Sequence, residues 1–383
     1  MFMQQFDLII IGGGILGTAH AWHALEKGLK VLILERDNYP LGATVRNFGQ
    51  VVPSGLADKW FGYGLTGLAL YKSIQAKGDI SVRHNGSVYI ASDEDEQLLV
   101  HELKAHYDHI GYQAQLLSAT EVQQRYPAIK PGYAREALFF PQEISVEPDK
   151  MIHRLHAYMK ETYNKLQIIY YTPVSSIKET NGAVTVNQQF QANKVIICCG
   201  HEGKLLYPDV FSNSGQVVSK LQMLRTIPMP ELQLKGNILT GLTIRRYESF
   251  ATYCPSFNKI KTPHHYEELK KWGIHILFKQ ATDNSIIIGD SHEYAPIHQS
   301  DDLGFHTNHY INELILEEAS HIINIKGRQI AACWNGYYAQ HNENNIFEHD
   351  LTPQIHIRTG IGGKGMTAGA GYAKESVDLL YGN

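Results

Sequence analysis

Short apolar runs that pass into glycines and then into helical patterns occur at three separated places in the chain. They lie at residues 6–50, around residues 193–201, and at residues 354–380. The run at residues 6–11 (FDLIII) is almost uniformly apolar, which is typical of a parallel strand covered on both faces. We therefore expect one mostly parallel sheet, assembled from distant parts of the chain.

The stretches between these places have different patterns of apolar and polar residues. Residues 84–92 have the pattern of a strand, and residues 274–290 have that of a hairpin whose turn carries Asp283 and Asn284. Helical periodicity covers residues 94–110, 149–165 and 308–320. The interleaving predicts an α/β chain (α+β overall) of two discontinuous domains, in which an antiparallel sheet is inserted between the segments of the parallel one.

The first glycine segment has the spacing of a dinucleotide-binding motif. Residues 12–17 (GGGILG) satisfy G-x-G-x-x-G, a helical pattern follows at residues 18–27, and a second strand is expected at residues 29–34. Glu35 stands at the end of that strand. Glycine-rich turns occur by chance, but strand, helix, second strand and acid are all in register here. The segment therefore predicts a dinucleotide site, without separating NAD from FAD.

Each residue of this motif has a physical task. Gly12 permits the tight turn, Gly14 lets the backbone approach a pyrophosphate, and Gly17 lets the helix pack closely on the strand. The helix N-terminus then faces the diphosphate. Glu35 can accept hydrogen bonds from the hydroxyls of the adenosine ribose.

Two further segments favour FAD as the dinucleotide. Residues 42–50 (GATVRNFGQ) combine small residues with Thr44, whose hydroxyl can reach phosphate or ribitol, although a surface loop would have the same composition. Residues 194–201 (KVIICCGH) predict a buried strand that ends in glycine, about twenty residues after Val174, where a backbone edge could hold adenine. Taken alone, that strand could belong to any core.

A third segment, residues 360–371 (GIGGKGMTAGAG), leads into a helix predicted at residues 372–380. Such glycine density before a helix makes a second anion-binding terminus, where the negative charge of reduced flavin would be stabilised with Lys364 as a helper. A flexible carboxy-terminal tail is the alternative, and the following helix argues against it.

At this point the chain resembles the D-amino-acid-oxidase superfamily of flavoproteins, which includes glycine oxidase and sarcosine oxidase. The resemblance extends over nearly the whole length and rests on the segments above together with residues 215–216 (GQ), 222–225 (QMLR), 288–291 (IGDS) and 334–336 (WNG). It implies bound FAD, a Rossmann-type domain, and a substrate domain whose antiparallel sheet covers the flavin.

The resemblance also implies a division of the chain. The FAD-binding domain would contain residues 1–82, 145–215 and 330–383, and the substrate-binding domain residues 83–144 and 216–329. The expected cofactor-binding residues are Gly12, Gly14, Ile15, Leu16, Gly17, Glu35, Arg36, Gly42, Ala43, Thr44, Arg46, Asn47, Phe48, Gly49, Val174, Cys199, Gly200, Gly336, Gly362, Gly363, Lys364, Gly365, Met366 and Thr367.

The implied chemistry is hydride transfer from the carbon bearing an amine to flavin N5. Related α-amino-acid oxidases typically continue W-x-G-x-R and clamp the substrate carboxylate with the arginine. Here Tyr338 occupies the arginine position, so an ordinary α-amino carboxylate becomes a doubtful substrate.

The chain is similar to a subgroup linked to the oxidation of aminophosphonates related to 2-aminoethylphosphonate. Candidate hydrogen-bond donors to a phosphonate are Arg46, Arg245, Arg246, His275, Lys279, Tyr338 and Lys364. Most lysines and arginines in such a set are surface charges. The catalytic candidates are Arg46, His275, Tyr338 and Lys364, and His275 begins a strand where related oxidases place a substrate-facing tyrosine.

Other functions remain open at this stage. A glycine, sarcosine or D-amino-acid oxidase is the nearest alternative, and an FAD-dependent tRNA-modifying protein or a non-catalytic flavin sensor belongs to another class. Dioxygen is the expected electron acceptor. Cys333 precedes Trp334 in a region where some sarcosine oxidases tether flavin, so the attachment of FAD, covalent or not, stays open.

The composition of the chain narrows the range of binding partners to be expected. A formal net charge of −4 in 383 residues gives no electrostatic reason to bind nucleic acid or an anionic membrane. Four irregularly spaced cysteines suit a reducing compartment, and no signal peptide or membrane span is visible, so a cytoplasmic protein is expected. The 20 histidines show no metal-ligand spacing, so no metal is predicted. The oligomeric state is not predicted.

Overall fold

The computed structural model describes residues 3–180, 182–325, 329–341 and 343–382. In chain order its strands are β1 (Gln4–Ile11), β2 (Val31–Leu34), β3 (Gln50–Val51), β4 (Ser87–Ala91), β5 (Gln115–Ser118), β6 (Glu136–Phe140), β7 (Ile144–Ser145), β8 (Leu166–Ile169), β9 (Ile177–Thr180), β10 (Ala183–Val186), β11 (Phe190–Ile197), β12 (Gln216–Thr226), β13 (Asn237–Leu239), β14 (Leu277–Gln280), β15 (Ile286–Gly289), β16 (Glu293–Pro296), β17 (Ile330–His341), β18 (Phe347–Thr352) and β19 (Ile355–Thr359).

Helices alternate with these strands. They are α1 (Ile15–Glu26), α2 (Asp58–Gln75), α3 (Glu94–His109), α4 (Ala119–Arg125), α5 (Pro148–Thr162), α6 (Pro208–Ser212), α7 (Gly241–Ile244), α8 (Glu248–Tyr253), α9 (Glu267–Lys271), α10 (His309–Ile322) and α11 (Gly365–Tyr381).

The first sheet has a parallel core, in the order β18-β19-β11-β1-β2-β8. Strand β1 pairs in parallel with β2 on one side and β11 on the other, while β18 is antiparallel to β19. Leu8 and Ile10 point to a helical layer formed by α1, α2, α5 and α11. Ile9 and Ile11 point to the opposite face, where Val184 packs against them. Burial on both faces explains the unbroken apolar run of β1.

The second sheet is largely antiparallel, in the order β16-β12-β15-β14-β13-β4-β6-β5, with β17 along the other edge of β12. One face packs on α10 through Ile311 and Ile315. The other packs on α3, whose Leu99 and Leu103 lie against Tyr89 of β4. The α/β class, a parallel sheet plus an inserted antiparallel one, is confirmed.

Strand β17 begins at residue 330, where a boundary between the two domains is predicted. It pairs with β12 from Ile330 to His341, so its hydrogen bonds place it in the antiparallel sheet. The predicted domain limits stay predictions.

The carboxy-terminal helix begins earlier than the pattern indicated, at Gly365 instead of residue 372. The reason is close packing of α11 on α2. A Cβ at Gly371 would lie 2.3 Å from the carbonyl oxygen of Tyr63, and one at Gly67 would lie 2.3 Å from that of Thr367. The small residues of this segment therefore bring two helices together and do not extend the loop.

Across the described ranges, which omit residues 1–2, 181, 326–328, 342 and 383, no helix has the length and apolar character needed to cross a membrane.

Candidate cofactor and substrate site

A long cleft opens at the carboxyl ends of the parallel strands. Ile11 of β1 and Leu34 of β2 form its floor, and Cys198, just after β11, lies beside them. Ligands of open α/β sheets bind at this edge because the loops there diverge. Its lining is drawn from separate segments of the chain, among them residues 11–16, 40–47, 198–202 and 359–366, and such a composite wall suits an extended dinucleotide.

The glycine-rich turn has the contacts that its motif requires. Gly12 has φ of +103°, and a Cβ there would lie 2.3 Å from the carbonyl oxygen of Cys198. A Cβ at Gly17 would lie 2.0 Å from the carbonyl oxygen of Gly12 and 2.9 Å from Ile10 Cγ2. These two positions cannot carry a side chain, because β1, β11 and α1 meet there.

Glu35 is fixed at the end of β2. Its carboxylate accepts a hydrogen bond from the Gly13 N–H at 2.8 Å and another from the Asp37 N–H at 3.1 Å. The side chain is buried and lines the cleft, and its oxygens retain lone pairs for further donors such as ribose hydroxyls.

The loop after β2 is held against the start of α1. Thr44 Oγ1 accepts the Ile15 N–H at 2.9 Å, and the Asn47 amide donates to the carbonyls of Ala43 and Thr44. Asn47 Oδ1 accepts the Gly49 N–H at 2.7 Å. This network ties the second glycine segment to the first, so both present backbone to the same cleft.

The far end of the cleft is formed by Val174, Cys199 and Gly200. Burial raises the pKa of Cys199 to about 12, so its thiol stays protonated and acts as a small apolar wall. At the opposite end, Gly362 and Gly363 border the amino terminus of α11. Segments about 350 residues apart in the sequence thus converge on one cleft.

A second cavity joins the cleft at this end. Residues Asn47, Tyr338, Gly362, Gly363 and Met366 line both spaces. The second cavity is otherwise walled by the antiparallel sheet and its loops, through Leu221, Arg246, Tyr247, Leu277, His275, Asp290, His292 and His341 among others. A small molecule in it would therefore sit next to whatever occupies this end of the cleft.

Polar groups cluster on the sheet side of that cavity. Asp290 Oδ1 lies 2.8 Å from His275 Nε2 and 3.8 Å from His292 Nδ1. Burial lowers the pKa of His275, and it lowers that of His292 to about 3. Burial also acts to raise the pKa of Asp290, but the two histidines beside it hold that pKa below its ordinary value.

A family comparison decides the cofactor. The family described as FAD dependent oxidoreductase (DAO) matches residues 7–379 of this chain. The chain belongs to the DAO family of FAD-dependent oxidoreductases. FAD is therefore the dinucleotide of the cleft, and the three glycine segments that line it are the residues available to hold it.

Individual relatives of this DAO-family protein are distant. Glycine oxidase of Bacillus licheniformis is 22% identical over 99% of this chain and 94% of its own length. N-methyl-L-tryptophan oxidase of Yersinia pestis is 24% identical, but the match covers 54% of this chain and 56% of that protein. The structure of L-alpha-glycerophosphate oxidase from Mycoplasma pneumoniae, with FAD bound, aligns with a TM-score of 0.77 at 19% identity, covering 99% of this chain and 95% of that one.

Most of the cofactor-binding residues expected from the sequence border the cleft of this DAO-family protein. Those that line it are Gly12, Gly14, Ile15, Leu16, Glu35, Arg36, Gly42, Ala43, Thr44, Asn47, Val174, Cys199, Gly200, Gly362, Gly363, Gly365 and Met366. Phe48, Lys364 and Thr367 line the adjoining cavity. Their roles toward FAD remain proposals.

Other predicted residues have structural tasks. Gly17 makes room for α1, and Gly49, with φ of +71°, lies against the carbonyl of Val146. Gly336 makes room for the ring of Tyr338, because a Cβ there would lie 2.9 Å from Tyr338 Cε1.

Arg46 departs from its expected place. Its guanidinium donates to the carbonyl of Asn335 at 3.2 Å and lines a neighbouring groove that also contains Glu147 and Trp334. Its own carbonyl accepts hydrogen bonds from Trp334 Nε1 and Tyr338 Oη, each at 3.2 Å. The backbone of Arg46, more than its charge, therefore positions the residues of the active-site end.

Two other expected donors are occupied elsewhere. Arg245 binds Asp93 at 2.6 Å and Glu96 at 2.8 Å, at the start of α3. Lys279 is fully buried, and its ammonium donates to the Val146 carbonyl at 2.5 Å. Because of burial, the pKa of Lys279 falls to about 8. Arg245 therefore connects the end of α7 to α3, and Lys279 connects β14 to the segment after β7.

Lys364 borders the cavity but is already paired. Its ammonium binds the Glu248 carboxylate, donates to Asn345 Oδ1 at 2.6 Å, and lies 5.5 Å from the centre of the Trp60 ring. The predicted role of Lys364 as a helper of reduced flavin stays a prediction.

The sequence reasoning missed Asp290 and His292. Asp290 follows β15, and His292 stands two residues on, between β15 and β16. The D-x-H spacing was the available signal. Neither residue has a partner in the local sequence, because His275 is brought in across the sheet.

Proposed function

We propose that this protein oxidises the carbon–nitrogen bond of a small amine that carries an anionic group, with an aminophosphonate related to 2-aminoethylphosphonate as the preferred class. The observation that carries the proposal is the position of Tyr338. It lines both the cofactor cleft and the adjoining cavity, where related amino-acid oxidases would place a carboxylate-binding arginine.

The phenol of Tyr338 does not replace that arginine. Burial raises its pKa well above the ordinary value, so it stays neutral, and its hydroxyl donates to the carbonyl of Arg46. A planar carboxylate thus loses a bidentate partner. Donors are instead spread around the cavity, at Arg246 and His341, which suits the oxygens of a tetrahedral anion better than a flat carboxylate.

When bound, FAD supplies a two-electron acceptor for the hydride that leaves the carbon bearing the amine. The residues of the chain would orient that carbon and keep the amine unprotonated. Tyr247, Leu221 and Leu277 reduce the access of water around the reacting carbon. The imine product would be hydrolysed after release, and dioxygen is the proposed electron acceptor.

The names of the relatives leave the substrate class open. Glycine oxidase and N-methyl-L-tryptophan oxidase act on amino acids, and the glycerophosphate oxidase acts on a substrate that carries a phosphate. An oxidase of glycine, sarcosine or a D-amino acid is therefore the second candidate. It would need an anion-binding arrangement other than an arginine at position 338.

A substrate comparison tests the proposal. Purified protein would be mixed without oxygen with 2-aminoethylphosphonate, its N-methyl derivative, glycine, sarcosine and D-alanine, and bleaching of the flavin absorbance would be recorded. We expect bleaching at least about tenfold faster with an aminophosphonate than with the simple amino acids. The opposite preference would overturn the proposed class.

The variant Tyr338→Phe separates the role of the phenol from that of its ring. Loss of its hydrogen bond to Arg46 should lower kcat/KM about tenfold while FAD content stays unchanged. The exposed Tyr171→Phe is the matched control and should behave as wild type. Equal kinetics in both variants would exclude Tyr338 from substrate positioning.

A further inference from the structure

We propose that His275, Asp290 and His292 form a binding site for a divalent transition-metal ion such as Zn²⁺. One ligand atom from each of the three side chains lies within 4.8 Å of the others, in the wall of the cavity beside the cofactor cleft. Two imidazoles and one carboxylate are a recurrent set for zinc and non-haem iron, and they leave coordination positions open.

The first argument concerns an oxygen atom without a partner. Asp290 is 7% exposed, and among the described residues no N–H or O–H group is directed at its Oδ1 in hydrogen-bonding geometry, although His275 Nε2 is 2.8 Å away. A buried carboxylate oxygen in that position is expensive. An ion bound to both atoms would satisfy them, and the two side chains would need to move apart by only about 0.6 Å to reach the spacing of neighbouring ligands in a tetrahedral site.

The second argument concerns the ring nitrogens that would not bind the ion. His292 Nδ1, 3.8 Å from Asp290 Oδ1, lies 3.0 Å from the carbonyl oxygen of Gly273 and donates its proton there, so Nε2 is the nitrogen of His292 that is open to an ion. His275 Nδ1 lies 3.1 Å from Thr243 Oγ1. Metal-binding histidines are held in this way, because a hydrogen bond on one nitrogen fixes the ring and its tautomer.

The third argument concerns the scaffold. The His275 N–H donates to the Asp290 carbonyl, and the His292 N–H donates to the Trp272 carbonyl, each at 3.0 Å. These bonds join the segment before β14 to the segment after β15, so the three ligands stand on two connected loops at one end of these strands. A Cβ at Gly273 would lie 2.8 Å from His292 Cβ, and glycine there allows the approach. Backbone hydrogen bonds between the two loops therefore hold the three ligands close to one another.

The positive charge of Arg246 acts on all three proposed ligands and would repel a bound cation. Its guanidinium is held by the carbonyl of Gly273 at 2.9 Å and by Tyr294 Oη at 3.2 Å. An oxyanion bound to the ion's open position would lie near this guanidinium and offset both positive charges. The metal site does not depend on which amine is oxidised.

Metal binding by the flavin-loaded protein tests the site directly. After dialysis against a chelator, Zn²⁺ would be titrated by calorimetry, and Co²⁺ would be followed by its visible absorption beyond the flavin band. We expect about one tightly bound ion per chain, and at least about tenfold weaker binding in Asp290→Asn and in His292→Ala. FAD content and the far-ultraviolet spectrum would report that each variant is folded.

His264→Ala is the matched control, since this histidine is almost fully exposed and stands beside a second histidine. It should leave the tight site unchanged. Absence of stoichiometric binding in the wild type, or binding that survives in both ligand variants, would overturn the proposal. In either case the amine-oxidase assay would remain an independent result.

Discussion

Glu143 shows how a single buried carboxyl makes the stability of this protein depend on pH. It is fully buried and binds the N–H and the hydroxyl of Ser54, the hydroxyl of Ser87, and Tyr112 Oη at 3.0 Å. Burial raises the pKa of Glu143 to about 7, against 4.5 for an ordinary glutamate. Between these values the folded chain binds a proton that the unfolded chain releases.

It follows that stability is lost as pH rises from about 4.5 to 7, by at most about 3 kcal/mol from this group. In Glu143→Gln the side chain keeps a hydrogen-bond acceptor and cannot ionise. The free energy of unfolding of this variant should therefore lack the pH-dependent part that Glu143 contributes. Urea unfolding at about pH 5 and about pH 7.5 measures the difference between the two proteins. Parallel pH profiles for wild type and variant would show that Glu143 does not titrate in this range.

At the scale of elements, the close contact between α11 and α2 depends on glycines at positions where a side chain would not fit. Gly371 and Gly369 lie in the same helix, but a Cβ at Gly371 would meet the Tyr63 backbone, whereas one at Gly369 meets open space. Gly371→Ala should therefore destabilise the fold by about 3 kcal/mol, because the helices must separate.

Gly369→Ala is its internal control. Alanine favours helix over glycine by about 0.5–1 kcal/mol, so this variant should be neutral or slightly more stable. Thermal melts of both flavin-loaded variants provide the comparison. Equal melting temperatures would mean that α11 can shift without loss.

Periodicity and turn chemistry predicted the elements well where each element is self-contained. The helix at 94–110 and the hairpin at 274–290 are confirmed as α3 and as β14 with β15. The start of α11 was misplaced because glycine has two uses, in cofactor-binding loops and in close packing. Only the tertiary neighbour, here α2, distinguishes the two.

The site residues also fall into two groups, those positioned by a local motif and those positioned by distant parts of the chain. Residues of local motifs, such as Gly12 and Thr44, border the cleft as expected, because the turn itself sets their position. Arg46 and Lys279 could not be placed from sequence, since their directions depend on strands distant in the chain. The meeting of His275 with Asp290 likewise depends on strand register, which no local pattern records.

On the scale of the whole molecule, the cofactor cleft is where the two sheets meet. Its walls combine the carboxyl ends of β1, β2 and β11 with Tyr337, Tyr338 and Ala339 of β17, which belongs to the antiparallel sheet. A ligand that contacts both walls stabilises each sheet and also their junction. Binding to the folded state alone adds about 4 kcal/mol at a ligand concentration of about 1,000 times Kd.

We therefore expect FAD to raise the melting temperature of the FAD-free protein and to sharpen its unfolding into one transition. ADP should protect less even at matched saturation, because it can occupy only the end of the cleft near Glu35 and Val174, away from Tyr338. Differential scanning calorimetry of the free, ADP-loaded and FAD-loaded chains measures both effects. If ADP at matched saturation protected as much as FAD, the junction of the sheets would owe nothing to the flavin half of the cofactor.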